Sequence, residues 1–268
     1  METRPATVED LKVIYADDAD PEKAGQGLQC FPLIKKAAGS ASLDYWMMQP
    51  SEQIGLLFLL DQLRPKVAIE IGTRFGGSLQ ILARYCEKVY SLDIDPDVPR
   101  RLEGKYPNVE YLIGPSHETL PPLIERLQNE GAELAFALVD GDHSSAGVKS
   151  DIDNLLEFIP TVPLYIVMHD SFNPGCRDGL RKSNWAANPY VHAVELDFIA
   201  GLINPAPTFR HQLWSGLALG ILLPQKRTGR FEITGKGEET YSAAKKMYQV
   251  RFALHKGKRI VKRLLGRK

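Results

Sequence analysis

Short continuous apolar runs alternate with helix-length segments, and this alternation is the feature that most restricts the fold. The runs predicted as strands are 67–71, 88–93, 109–113, 134–139 and 164–168. Strands that are apolar throughout, rather than at every second position, are typical of a sheet buried on both faces. Because helical segments separate them, we expect right-handed crossovers and parallel strands. The sequence therefore predicts an α/β fold with a Rossmann-like, doubly wound sheet.

The alternation of apolar runs and helix-length segments ends before residue 191. Residues 191–196 alternate between apolar and polar positions, and residues 216–223 form a glycine-spaced apolar run. Since no long crossover helix is predicted between them, these two strands indicate an antiparallel connection. We therefore predict a mostly parallel, seven-stranded sheet with an antiparallel last strand.

The chain is expected to have three parts. Residues 1–50 lack a clear period and form an N-terminal arm, residues 51–228 form the domain, and residues 229–268 form a basic C-terminal extension. The domain is expected to open with a helix that Ser51 caps and Pro65 stops.

Charge, cysteine content and hydropathy restrict the partners and the compartment. Lys plus Arg equals Asp plus Glu at 33 each, so the overall charge gives no reason to expect nucleic acid. The three cysteines lack CxxC or metal-binding spacing, which argues against disulfides and structural zinc. The chain starts with an acidic rather than an apolar segment, and no run of about 18 apolar residues occurs. We expect a cytoplasmic protein with no membrane span.

The loop after the first predicted strand is the strongest candidate for a cofactor site. It spans residues 70–77 and reads Glu-Ile-Gly-Thr-Arg-Phe-Gly-Gly. Glycines at such a loop let backbone N–H groups approach a ligand closely. The spacing is Glu-x-Gly-x-x-x-Gly, which differs from the G-x-G-x-x-G of dinucleotide sites, and no P-loop lysine is present. A tight turn that binds no ligand is the alternative.

Acidic and imidazole groups follow three of the predicted strands. Asp93 ends the second strand, about 20 residues past the glycine loop, where a carboxylate can accept from two ribose hydroxyls. Asp95 falls in the loop beyond and is the weaker candidate. The groups after the fourth and fifth strands are Asp140, Asp142, His143, His169 and Asp170. Such groups are costly as core filling and suit a metal or acid–base site, although solvated loop ends are the alternative.

Together these motifs resemble class I S-adenosylmethionine-dependent methyltransferases. Asp-Gly-Asp-His, with His-Asp after the next strand, is most similar to bacterial small-molecule and antibiotic-sugar O-methyltransferases of the cephalosporin-biosynthesis type, over residues 50–185. The resemblance implies the cofactor S-adenosylmethionine. Its expected ligands are Glu70, Gly72, Thr73, Gly76, Asp93, Ser116, His117 and Asp140. Ser116 and His117 match the pair that lies against adenine in catechol-type enzymes. Ser116 is also interpreted as an ordinary helix N-cap, and both interpretations can hold at once.

The same resemblance implies a metal site. In the metal-dependent catechol-type enzymes these strand ends supply one aspartate and then an aspartate–asparagine pair. Asp140 matches the first aspartate, Asp170 matches the second, and Ser171 stands where asparagine is usual. A hydroxyl is a weaker ligand than an amide oxygen, but two carboxylates with waters could hold Mg²⁺.

The function implied is transfer of a methyl group to a hydroxyl of a small-molecule acceptor, such as a sugar or another natural product. His143 or His169 is expected to accept the acceptor's proton, alone or beside a metal. The alternatives are a nicotinamide-dependent enzyme and a non-catalytic partner subunit that binds cofactor without turnover.

The C-terminal segment from residue 243 to residue 268 carries ten basic residues and no acidic one. Apolar residues are interleaved with them at helix-compatible spacing. Such a segment could lie on an anionic membrane surface. The alternative is a solvated helix whose apolar stripe packs on the domain or on a second subunit of a homo-oligomer.

Overall fold

The computed structural model describes residues 46–203 and 212–249. The five predicted parallel strands are present, with bounds within one residue of those expected. They are β1 (Val67–Ile71), β2 (Lys88–Asp93), β3 (Val109–Ile113), β4 (Leu134–Val139) and β5 (Leu164–His169).

Helices connect these strands as the alternation predicts. They are α1 (Pro50–Leu63), α2 (Leu79–Tyr85), α3 (Val98–Leu102), α4 (Ser116–Asn129), α5 (Ser145–Leu155), α6 (Pro174–Lys182) and α7, which begins at residue 238 and continues through residue 249. Helix α6 was not predicted from the sequence, and α7 begins five residues before the helix-compatible segment predicted from residue 243. For α6 a signal was present, because the Asn173 side chain accepts from the Gly175 N–H and Pro174 is the first helical residue.

The sheet has eight strands, so the prediction of seven is wrong. It is completed by β6 (Val191–Ile199), β9 (Leu217–Leu222) and β10 (Ile233–Thr234), and its order is β10-β6-β9-β5-β4-β1-β2-β3. The antiparallel finish is confirmed at β9, which runs antiparallel to both β5 and β6. The extra strand β10 joins the edge parallel to β6 through two residues only. A strand of two residues is too short to show an alternating pattern in the sequence. A separate hairpin pairs β7 (Leu202–Ile203) with β8 (Leu213–Trp214).

Both faces of the sheet are covered. On one face Ile69 and Ile71 pack with apolar residues of α4, α5 and α6. On the other face Ala68 packs with α1, α2 and α3. Alternate residues of β1 therefore enter two separate cores, which explains why the strand reads as continuously apolar.

The first helix begins two residues earlier than predicted. Gln49 rather than Ser51 occupies the N-cap position, and Pro50 is the first helical residue. Glu52 Oε2 accepts from the Gln49 N–H at 2.6 Å, which satisfies a donor at the start of the helix. Proline favours this start because its fixed φ matches the helix.

The arm before residue 46 and the basic segment from residue 250 onward lie outside the described residues, as does the loop 204–211. Within the described ranges, no helix has the length and apolar character needed to cross a membrane.

A buried arginine joins the last part of the chain to the sheet. Arg177 of α6 is 1% exposed and pairs with both carboxylate oxygens of Asp197 in β6, at 2.9 and 2.8 Å. It also donates to Glu238 of α7 at 2.8 Å, and its guanidinium lies 4.3 Å from the centre of the Tyr241 ring. One side chain therefore holds three elements together.

We expect Arg177→Met to lower the free energy of unfolding by about 3 to 5 kcal/mol, because the buried Asp197 carboxylate loses its counter-charge. Urea unfolding measures this directly. The matched control is Arg181→Met on the same helix, which also pairs with Glu238 but is 46% exposed. An exposed pair contributes at most about 1 kcal/mol, so similar losses in the two variants would contradict the assignment.

Candidate functional site

A cavity of about 880 Å³ opens at the carboxyl ends of the parallel strands. Its walls come from the loop after β1, the end of β2, the turn after β3 and the polar residues after β4 and β5. The lining is completed by residues 46–49, by the pair Trp214 and Ser215, and by Gly147, Ser150 and Asp151 of α5. This is the position at which doubly wound sheets bind their ligands, and the volume suits a molecule of cofactor size.

Gly72 allows the loops after β1 and β4 to approach each other. Its φ is +93°, and a Cβ at this position would lie 2.1 Å from the Asp140 carbonyl oxygen. Gly76 has a φ of +79° and turns the chain toward α2, with Leu102 beneath it. Gly72 and Thr73 border the cavity, while Gly76 is not among the lining residues. The first glycine therefore shapes the cavity wall and the second shapes the turn behind it.

Glu70 lies beneath the glycine loop and does not line the cavity. It is fully buried, and its two oxygens accept from the hydroxyls of Ser78 at 2.5 Å and Thr73 at 2.9 Å. These two residues lie at opposite ends of the loop. The geometry therefore gives Glu70 a positioning role, and the proposed contacts with a cofactor fall to the residues above it.

Burial raises the pKa of Glu70 from 4.5 to about 8, against the opposing hydrogen bonds from Ser78 and Thr73. Between those two pH values the folded state keeps a proton that the unfolded state releases, so rising pH destabilises the fold. We expect Glu70→Gln to remove a pH-dependent loss on the order of 2 kcal/mol between pH 5 and pH 8. Urea unfolding of both proteins at several pH values tests this, and parallel pH dependences would refute it.

The Asp93 carboxylate both holds the glycine loop by hydrogen bonds and borders the cavity. Its Oδ2 accepts from the N–H groups of Thr73 at 2.9 Å and Arg74 at 2.7 Å, and its Oδ1 accepts from the Asp95 N–H at 2.8 Å. The carboxylate thus fixes the glycine loop while it borders the cavity. Asp95 instead pairs with Arg101 at 2.7 Å and is not among the lining residues.

The turn after β3 brings Ser116 and His117 to the cavity wall. Helix α4 begins at Ser116, and Pro115 holds the N-cap position. The interpretation of Ser116 as an N-cap is therefore wrong, because the helix starts one residue earlier than a serine cap would require. His117 is exposed, and its Nε2 lies 3.7 Å from the Glu118 carboxylate.

Four polar side chains converge after β4 and β5, and we call Asp140, His143, His169 and Asp170 the polar cluster. Their candidate ligand atoms all lie within 4.8 Å of one another. His169 Nδ1 is 2.9 Å from Asp140 Oδ1, and His143 Nε2 is 3.1 Å from Asp170 Oδ2. Asp170 has a φ of +55°, a costly backbone conformation for aspartate, and its Oδ1 accepts from the Ser215 N–H at 2.5 Å. The surrounding structure therefore holds this carboxylate in place.

The polar cluster strongly favours positive charge. Hydrogen bonds to Asp140 and Asp170 raise the pKa of His143 to about 9, against its partial burial. Burial would lower the pKa of His169, but Asp140 and Glu52 outweigh it and hold the pKa well above its ordinary value. Burial would likewise raise the pKa of Asp140, but the two histidines outweigh it and lower the pKa to about 2. Either imidazolium protons or a divalent cation can supply the charge that these carboxylates require.

The predicted ligand Ser171 does not join the polar cluster. It is fully buried and does not line the cavity, and a Cβ built on Gly216 would lie 2.7 Å from its hydroxyl oxygen. Its N–H donates to the Gly216 carbonyl oxygen at 3.1 Å. The hydroxyl oxygen therefore lies against Gly216, the residue before β9. Asp142 is also outside the cluster and accepts from Ser144, which caps α5.

Sequence reasoning missed three residues of the site. Glu52 reaches from α1 to within 3.3 Å of His169 Nε2, and Asp151 of α5 forms part of the cavity wall. The Trp214 ring packs edge-on against His143, with ring centres 5.6 Å apart. Glu52 and Trp214 lie far along the chain from the histidines that they approach, so no spacing in the sequence could have identified them.

Comparison with known proteins finds a family match within the central region of the chain. Residues 69–171 match the methyltransferase domain family. A rhamnosyl O-methyltransferase of Mycobacterium leprae is 35% identical over 42% of this chain and 52% of its own length. A rhamnosyl O-methyltransferase of Mycobacterium tuberculosis is 31% identical over 51% of this chain and 63% of its own length. The matches thus span between half and two thirds of these curated relatives.

A solved structure shows the same fold. An O-methyltransferase from Bacillus cereus, crystallised in complex with SAH, superposes with a TM-score of 0.50 at 17% identity. The superposition covers 81% of this chain and 97% of that chain. The predicted resemblance to class I S-adenosylmethionine-dependent methyltransferases is therefore confirmed for the fold and for the matched segment.

Proposed function

We propose that this chain binds S-adenosylmethionine in the cavity and transfers its methyl group to a hydroxyl of a small-molecule acceptor, most suitably a sugar. The observation that carries the proposal is that one cavity holds both the glycine loop with Asp93 and the polar cluster. A cofactor-binding wall thus adjoins groups able to handle the acceptor's proton.

The residues of the first wall fit the cofactor. At Gly72 a Cβ would fill the space against the Asp140 backbone, so the loop follows a path that only glycine permits. Asp93 supplies a half-buried carboxylate for the ribose hydroxyls, and Ser116 and His117 border the position expected for adenine. The sulfonium methyl would then point toward the carboxyl ends of β4 and β5, where the polar cluster lies.

The second wall fits the acceptor. Methyl transfer displaces a sulfide at carbon, so the attacking oxygen must be held in line and must lose its proton. His143 is the cluster member best placed to receive that proton, because 42% of its side chain is exposed beside the cavity. Since its pKa is raised to about 9, it acts as a base only after it has released its own proton, which a cation bound to the carboxylates would favour. His169 is 10% exposed and fixed between Asp140 and Glu52, so it orients Asp140 and adds charge.

Asp140 and Asp170, with His143 and His169 beside them, would hold a divalent cation if one is bound. Such an ion would supply Lewis acidity that lowers the pKa of the acceptor hydroxyl. Carboxylates alone favour Mg²⁺ or Ca²⁺, whereas two added imidazoles extend the fit to ions such as Mn²⁺.

Removal of metal tests this part of the proposal. We expect a chelator to reduce methyl transfer by about 100-fold or more while leaving SAH affinity unchanged, and added Mg²⁺ or Mn²⁺ to restore the rate. Activity that survives the chelator but is lost in His143→Ala would show that a histidine acts as the base without metal.

The rhamnosyl relatives support a sugar acceptor, although they match over only part of their length. Trp214 adds support, because an aromatic ring beside the cluster offers a surface for the apolar face of a sugar. The test is transfer of labelled methyl from S-adenosylmethionine to a rhamnoside, compared with catechol as an aromatic hydroxyl of similar size. Transfer to catechol alone would overturn the sugar assignment.

A further inference from the structure

Asp151 is a buried carboxylate whose oxygens have no partner. It lies on α5, is 1% exposed, and neither of its oxygens has a hydrogen-bond partner among the described residues. The side chain is nevertheless part of the cavity wall. A buried carboxylate without donors is costly, so a donor supplied by the cavity's occupant would explain its presence.

The charge state strengthens this reasoning. Burial raises the pKa of Asp151 to about 6, and the hydroxyl of Ser116, a weak hydrogen-bond donor to this carboxylate, partly offsets the rise. That hydroxyl does not complete a hydrogen bond of normal geometry, so both carboxylate oxygens still lack a partner. The group is therefore mainly ionised at neutral pH and accepts hydrogen bonds without donating any. The missing partner must be an N–H or O–H group.

The position of Asp151 identifies which part of the cofactor can supply that donor. Asp151 borders the cavity together with Ser116 and His117 on one side and Gly141 on the other. A Cβ built on Gly141 would lie 3.6 Å from Asp151 Oδ2, so the carboxylate is close to the β4 loop. Asp93, which would bind the ribose, ends the neighbouring strand β2. The base attached to that ribose would therefore extend between the β3 turn and α5.

We propose that Asp151 recognises the exocyclic amino group of adenine and so determines which purine the cavity accepts. The inference rests on the proposed function, since it assumes that an adenosyl cofactor occupies the cavity. An amino group at position 6 donates to the carboxylate, whereas a 6-oxo purine presents an acceptor that the carboxylate repels. Discrimination of this kind is large, because the wrong ligand leaves buried polar groups unpaired.

The test compares two ligands on two proteins. The ligands are SAH and S-inosylhomocysteine, in which a carbonyl oxygen replaces the amino group, and calorimetry measures both affinities. For the unaltered chain we expect SAH to bind roughly 100-fold more tightly. For Asp151→Asn we expect the difference to fall below about tenfold, because the amide can donate to the 6-oxo group as well as accept from the amino group.

A matched control lies on the same helix. Asp153 pairs with Lys149 and Asn184 rather than facing the cavity, so Asp153→Asn should keep the full discrimination. Circular dichroism of each variant establishes that it folds. If the unaltered chain binds SAH, but Asp151→Asn prefers SAH over S-inosylhomocysteine by the same factor as the unaltered chain, the inference is wrong and the proposed function stands. If the unaltered chain binds neither ligand, the proposed function itself fails.

Discussion

Replacing Asp140 by asparagine is expected to reduce the rate of methyl transfer by a factor of about 10² to 10⁴, the range associated with loss of proton handling. Asp140 lies within 3.4 Å of His143 and 2.9 Å of His169, so its charge supports both imidazoles. The neutral amide keeps the size of the side chain but cannot balance their charge. Steady-state kinetics with saturating S-adenosylmethionine measures the loss.

The SAH affinity of Asp140→Asn shows whether the variant retains its cofactor site. The substitution leaves unchanged the backbone of residue 140, whose N–H donates to the Ile71 carbonyl oxygen at 2.8 Å. We therefore expect SAH affinity within about tenfold of the original, since a single neutral contact contributes roughly 1 kcal/mol. A rate that stays within about threefold of the original would remove Asp140 from the reaction, because loss of proton handling costs far more.

The second large effect is expected for Gly72→Ala. The new methyl group would lie 2.1 Å from the Asp140 carbonyl oxygen in a backbone with φ +93°, so the loops after β1 and β4 must separate. Since both loops form the cavity wall, we expect SAH affinity to fall by at least about 100-fold, the consequence of a displaced binding loop. Calorimetry measures the affinity and urea unfolding measures the accompanying loss of stability.

Gly131→Ala is the control that distinguishes the effect of backbone strain from the effect of a steric clash by the new methyl group. Gly131 also has a positive φ, +63°, but a Cβ there would meet nothing within 4 Å. This control should lose about 1 to 2 kcal/mol of stability through strain alone and keep its affinity for SAH. Equal losses of affinity in both variants would contradict the role assigned to the Gly72 loop.

The parallel part of the fold could be predicted because each of its strands and helices shows a pattern within its own consecutive residues. Each buried strand, such as Val67–Ile71, reads as one apolar run, and each crossover helix carries its own apolar stripe. The eighth strand could not be predicted, because Ile233 and Thr234 pair with β6 only through tertiary contacts. Two-residue pairings carry no period that a sequence can display.

The candidate site, like the fold, could be predicted only where its residues follow directly from the strand pattern. Strand ends identified Asp140, His143, His169 and Asp170 as neighbours, because parallel strands end at one edge of the sheet. The orientation of Ser171 was not predictable, since it depends on the left-handed backbone of Asp170 and on packing against Gly216. Glu52 was equally hidden, because its approach to His169 depends on how α1 docks on the sheet.

Calorimetric titration of the whole chain with SAH, and in parallel with NADH, tests the central claim most directly. We expect one saturable SAH site per chain and no binding of NADH, since the loop lacks the dinucleotide glycine spacing and holds Gly72 against the Asp140 backbone. Saturable binding of NADH without binding of SAH would contradict it and would make the cavity a nicotinamide site.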